Sequence, residues 1–156
     1  MRLAHRFVLL ACLLGTLSAC GRSQPEAPPA STPPATVALD GGQFNRFFPR
    51  SQDGYTVVPA QEKRGFAEYK LNQGGKTLAM LSISDTLGGE AARKYTGATE
   101  RVAGRFPTVE QGRTATGALV ADRFQVKVLS RDPGFDRADR VQWIGRFDLD
   151  GLARLK

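Results

Sequence analysis

The chain has 156 residues, 41% hydrophobic and 24% charged, an ordinary soluble composition with room for one domain. Its 22 Lys and Arg outnumber its 15 Asp and Glu, for a formal charge of +7. The single histidine, His5, and both cysteines, Cys12 and Cys20, fall within residues 1–20. If that stretch is a targeting segment, the remainder holds no Ser-His-Asp triad, Cys-His pair, His/Cys zinc site or disulfide framework.

Arg2 and Arg6 precede an apolar run over residues 7–14, the charged and hydrophobic regions of a secretory signal. The run is far short of the roughly 20 apolar residues that span a bilayer, and no later segment approaches that length. The residues Leu17-Ser18-Ala19-Cys20 behind it resemble the lipobox of bacterial lipoproteins. That resemblance implies a diacylglyceryl thioether on Cys20, cleavage after Ala19, and an acylated new N-terminus. It gives the protein the membrane as a partner, through acyl chains on Cys20, and a place in the cell envelope facing the periplasm. Each buried CH₂ contributes about 0.8 kcal/mol, so several chains together hold a protein on a membrane stably. Gly21, where an inner-membrane lipoprotein tends to carry Asp, implies release toward the outer membrane in a cell that has one. The alternative is an ordinary signal peptide cleaved near Ala19 with a spare cysteine.

Residues 1–19 therefore form the signal, and without Arg2 and Arg6 the mature chain carries +5. Residues 20–39 comprise the cysteine and a tether rich in Pro, Ala, Ser and Thr, with Pro25, Pro28, Pro29, Pro33 and Pro34. In polyproline form, at about 3.1 Å per residue, the tether reaches at most roughly 60 Å. Residues 40–156 are expected to form a single domain.

Phe44, Phe47 and Phe48 fall at i, i+3 and i+4, one helical turn before Pro49. Residues 55–60, 66–71 and 77–84 read as strands, the last two joined by a Gly74-Gly75 turn. Ala91, Tyr95, Ala98 and Val102 predict a helix over 90–103, stopped by Gly104. A loop with Pro107 and Gly112 leads to strands over 114–121 and 123–131, around a tight turn at Ala121-Asp122. A last helix starts at Asp136, with Arg146 in its final turn and Val141, Ile144 and Phe147 on its apolar face. Trp143 lies at the edge of that face, and Trp143 and Phe147 are expected to pack on Phe124 and Val126. The order predicts an α+β fold: an antiparallel or mixed sheet of about five strands with two to three helices packed on it.

The sequence offers little for catalysis. An EF-hand loop placed on Asp148-Leu149-Asp150-Gly151 would start at Arg146, a cation where a ligand is required. The stretch reads instead as a turn and helix start. Asp85 stands at a strand end, a common place for catalytic carboxylates and for turn and cap residues alike. Ser82, Ser84 and Ser130 lack a Ser-x-x-Lys spacing, and the Gly-Gly pairs form no nucleotide loop. No cofactor, metal site or catalytic residue is assigned.

The period of two over residues 123–131 puts Phe124, Val126 and Val128 on one face, with Arg123, Lys127 and Arg131 on the other. These three cations are the candidate contact for an anionic envelope surface or protein complex. The alternative is a solvated face neutralised by carboxylates of neighbouring strands. Nucleic acid is not expected, because no stacking aromatic lies among the cations.

Several segments carry a further resemblance: Phe48-Pro49, Gln61-Glu62-Lys63-Arg64-Gly65-Phe66-Ala67-Glu68, Leu81-Ser82-Ile83-Ser84-Asp85 and Asp122-Arg123-Phe124-Gln125-Val126-Lys127-Val128. Through them the chain from Phe47 onward resembles a family of small uncharacterised bacterial lipoproteins, which brings no activity with it. The element order is similar to α+β folds of the PsbP and Mog1 type, and that likeness carries no residue roles. The leading expectation is a lipid-anchored, non-enzymatic binding or accessory module. The alternatives are a carboxylate-based or metal-assisted envelope hydrolase and an extrinsic subunit of a membrane complex. Mass spectrometry of the membrane-extracted protein should find Ala19 removed and Cys20 acylated. An unmodified Cys20, or a mature start elsewhere, would contradict the lipobox.

Overall fold

The structure, a computed structural model, describes residues 37–155. The signal, Cys20 and the tether up to residue 36 lie outside the described residues. In chain order come a 3₁₀ helix, Gly41–Phe47, and strands β1 (Tyr55–Lys63), β2 (Phe66–Gln73) and β3 (Lys76–Asp85). Helix α1 (Glu90–Arg93) follows, then strands β4 (Arg101–Val102), β5 (Phe106–Gln111), β6 (Ala115–Val120) and β7 (Phe124–Ser130). Helices α2 (Arg137–Ile144) and α3 (Leu149–Ala153) complete the chain. The strands form one sheet of seven, in the order β1-β2-β3-β7-β6-β5-β4, with every neighbour antiparallel.

An antiparallel or mixed sheet of about five strands in an α+β fold was expected; the sheet is antiparallel throughout with seven strands, and the fold is β-rich rather than clearly α+β. The difference arises between residues 90 and 111. Only the four residues of α1 are helical in the stretch expected to be one helix. Tyr95 turns inward against the sheet, Gly97 takes a left-handed φ of +79°, and Val102 pairs with Phe106. Residues 106–111, expected as part of a loop, form β5. Its Pro107, which has no N–H to give, sits opposite Arg101 of the two-residue edge strand, where a missing donor costs little.

Alternation works as expected in β7. Phe124, Val126 and Val128 are fully buried, and they share a face with Thr116, Ala118 and Val120 of β6 and with Leu81 and Ile83 of β3. The 3₁₀ helix, α2 and α3 cover this face. Phe44, Phe47 and Phe48 all enter the core, Phe48 stacking on Tyr69 at 4.1 Å between centroids. Trp143 is at the centre of the packing rather than its edge, 2% exposed and edge-on to Tyr55 at 5.1 Å. Arg146 falls beyond the end of α2 rather than in its final turn, and lays its guanidinium over the Trp143 ring at 4.5 Å.

Local signals set both final helices. Asp136 and Asp139 form a reciprocal capping box at the start of α2. Asp148 accepts from the Gly151 N–H at 2.7 Å to start α3, as the non-calcium reading of that segment required. Gly41 fits the 3₁₀ helix against the β1–β2 turn: a Cβ there would lie 2.3 Å from the Phe66 carbonyl. In the β6–β7 connection Ala121 and Asp122 are both at positive φ, and the Arg123 N–H closes the turn on the Val120 carbonyl at 3.1 Å.

The long edge strand β1 is guarded against strand addition. Gln52 occupies both the N–H and the carbonyl of Tyr55 from outside, and the Ser51 hydroxyl takes the Val57 N–H at 2.9 Å. Pro59 offers no donor, and a register shift follows it.

Candidate functional site

The structure does not gather Arg123, Lys127 and Arg131 into one free row. Arg123 lies at the β6–β7 turn and grips Asp85, its Nε 2.9 Å from Oδ1 and its Nη2 2.7 Å from Oδ2. The Asp85 side chain is wholly buried and also accepts the N–H groups of Leu39 and Leu87, at 3.0 and 3.1 Å. Four donors saturate this carboxylate, so it is a structural anchor and has no room to act on a substrate. Lys127 stands mid-sheet on the opposite face, between Ser82 and Gly117 in the register. Next to it, Tyr95 fills the space that Gly117 leaves open and donates to Gln125 at 3.1 Å, while Gln111 donates to both. Burial pushes the Tyr95 hydroxyl well above its ordinary value, so it remains a neutral donor.

Arg131 is exposed at the other end of the sheet, where three further arginines join it around a cleft of about 460 Å³. Arg113 comes from the β5–β6 turn, Arg131 from the end of β7, and Arg137 and Arg140 from the first turns of α2. The cleft is firmly built. The backbone N–H groups of Arg131 and Asp132 both bond the Leu78 carbonyl, and Asp132 Oδ1 accepts from Gly134 N–H at 2.8 Å. Phe135 is buried below, and its carbonyl takes the Ser130 hydroxyl at 2.6 Å.

Arg140 forms part of the cleft wall at 4% exposure. Its Nε donates to Thr116 Oγ1 at 2.8 Å, Nη1 to Ser130 Oγ at 3.0 Å and Nη2 to Glu110 Oε2 at 2.7 Å. One helix residue is thereby tied to β5, β6 and β7. A guanidinium has five N–H donors, so these bonds leave two of them. Arg137 is bound outside the cleft to Glu100 and, at 3.4 Å, to Glu110. Among the described residues Arg113 and Arg131 make no ion pair, and neither do the two aspartates of the lining, Asp132 and Asp136.

Of the site only Arg131 was read from the sequence. Arg140 had a usable signal: it lies three and four residues before Trp143 and Ile144, on the buried face of α2, where an arginine needs buried acceptors. Arg113 sits in a turn with no periodic signal, and only the fold brings it to Arg131.

The Asp85 pair gives stability a definite pH dependence. Burial raises the carboxyl, but hydrogen bonds from Arg123, Leu39 and Leu87 and the Arg123 charge lower it further, to a net value below the ordinary 3.8. The pair's contribution is complete above that ordinary value and is lost as pH falls through the lower folded one. Acid titration of unfolding should show this loss, and Asp85→Asn should be less stable at neutral pH with a flatter acid limb. An unchanged acid limb in the variant would contradict the assignment.

No family model matches the chain, and no curated protein or solved structure matches it either. The candidate site therefore rests on its own geometry.

Proposed function

We propose that the protein is a lipid-anchored, non-enzymatic binding module of the bacterial cell envelope whose arginine-lined cleft holds an anionic group. The observation that carries this reading is the state of the cleft: Arg113 and Arg131 are exposed and free of ion pairs beside the fixed, buried guanidinium of Arg140. Guanidinium groups suit phosphate and carboxylate because their donors form a planar fork. The binding contact moves from the strand row Arg123, Lys127 and Arg131 to the sheet end, retaining Arg131 alone. Attachment through Cys20 and a periplasmic setting, at the outer membrane where there is one, rest on the lipobox and Gly21.

Binding is favoured over hydrolysis because the buried carboxylate of Asp85 and the exposed one of Glu110 are committed to arginines. The extrinsic-subunit alternative gains less support, since the large apolar side chains exposed among the described residues are Val37 and Val58 alone. The PsbP and Mog1 likeness stays a proposal resting on element order.

The test uses residues 21–156 without the anchor, mixed with vesicles containing phosphatidylglycerol. Each cation near an anionic membrane contributes about 1 kcal/mol, so reversing Arg113 and Arg131 to Glu should weaken binding by about tenfold or more at low salt. The loss should shrink at high salt. The variant should unfold like the parent, because neither arginine is paired. Equal binding by parent and variant would overturn the proposal.

A further inference from the structure

The cleft lining is not uniformly cationic. With Arg137 and Arg140 occupied by Glu100 and Glu110, its unpaired charges are Arg113 and Arg131 against Asp132 and Asp136. The Asp132 carboxylate is held in place by the Gly134 N–H and that of Asp136 by the Asp139 N–H, so neither swings freely over the arginines. Each uses one oxygen in its turn or cap and retains further acceptor capacity. A simple anion would meet the two arginines and be repelled by the two aspartates. A ligand with both signs of charge would satisfy both pairs.

We infer that the cleft takes an aminoalkyl phosphate, with its phosphate on Arg113 and Arg131 and its ammonium on Asp132. This deepens the anion-binding reading above and rests on it. Phosphate fits better than carboxylate because the two unpaired guanidiniums come from separate segments, Arg113 from the β5–β6 turn and Arg131 from the end of β7. A tetrahedral group offers oxygens in several directions, whereas a planar carboxylate matches one guanidinium fork. The primary ammonium supplies N–H donors for the Asp132 carboxylate, which a quaternary ammonium lacks. The source is either a free small molecule or a phosphatidylethanolamine headgroup, and the chemistry is shared by both.

The experiment titrates the mature, acylated protein in neutral detergent micelles with O-phosphoethanolamine and, separately, inorganic phosphate. Phosphoethanolamine should bind more tightly than phosphate. Asp132→Asn keeps an oxygen for the Gly134 N–H but loses the charge. It should weaken phosphoethanolamine by about fivefold, the effect of one exposed ion pair, and leave phosphate equal or tighter. Arg131→Gln should weaken both probes. If Asp132→Asn changes the two probes alike, or phosphate binds as well as phosphoethanolamine, the zwitterion inference falls and the anion reading stands. If neither probe binds, or Arg131→Gln affects neither, the anion reading falls with it. Reconstitution into phosphatidylethanolamine or phosphatidylcholine vesicles separates the sources. Weaker probe binding in phosphatidylethanolamine alone assigns the headgroup, and equal binding assigns the free molecule.

Discussion

Asp85 holds four donors in one buried carboxylate, and they come from three separate parts of the chain. Leu39 brings the N-terminal segment, Leu87 the turn after β3, and Arg123 the β6–β7 hairpin. Thr86 strengthens the joint, giving both its N–H and its hydroxyl to the Arg123 carbonyl. The neighbouring Gly65 N–H bonds the Leu39 carbonyl at 2.6 Å, which seats the 3₁₀ helix over the β1–β2 turn. Close approach at Gly41 and burial of Phe44 depend on that seating. Removing one partner of such a pair leaves a buried charge exposed to no compensation, a loss of about 3–5 kcal/mol.

The opposite end of the sheet uses the same device with a different outcome. Arg140 ties α2 to three strands through Thr116, Ser130 and Glu110, so the helix and the sheet share one polar clamp inside an otherwise apolar layer. At Asp85 the acceptor is full. At Arg140 two N–H donors remain, and Arg113 and Arg131 stand nearby without ion pairs. The carboxylate at one end is saturated, whereas the guanidinium at the other retains donors, and that difference is the basis of the proposed binding role. Leu39 is held at the Asp85 end, and the cleft lies at the far end of β7.

Much of the fold was legible locally. The alternation of Phe124, Val126 and Val128 gave the buried face of β7, and Asp136 with Asp139 marked the start of α2. What failed was non-local. The spacing of Ala91, Tyr95, Ala98 and Val102 is genuinely helical, yet Tyr95 gains more from its buried bonds with Gln111 and Gln125 than a short Gly-interrupted helix could return. Pro107 disguised β5, because a proline weakens a strand signal unless the neighbouring strand is known to be short. For Arg123 the sequence left both readings open, a contact cation or one neutralised by a neighbouring strand, and its partner Asp85 lies 38 residues earlier on β3. Of the site only Arg131 was visible, since the cleft is assembled from a turn, a strand end and a helix start.

The most direct measurement of the Asp85–Arg123 joint is a double-mutant cycle with Asp85→Asn and Arg123→Gln, read by denaturant unfolding and by exchange of the Leu39 amide hydrogen. The cycle should give a coupling energy of about 2 kcal/mol or more, with Leu39 protection reduced in every variant that lacks the carboxylate charge. Single effects that add to within about 0.5 kcal/mol, or a Leu39 amide protected as before, would contradict it.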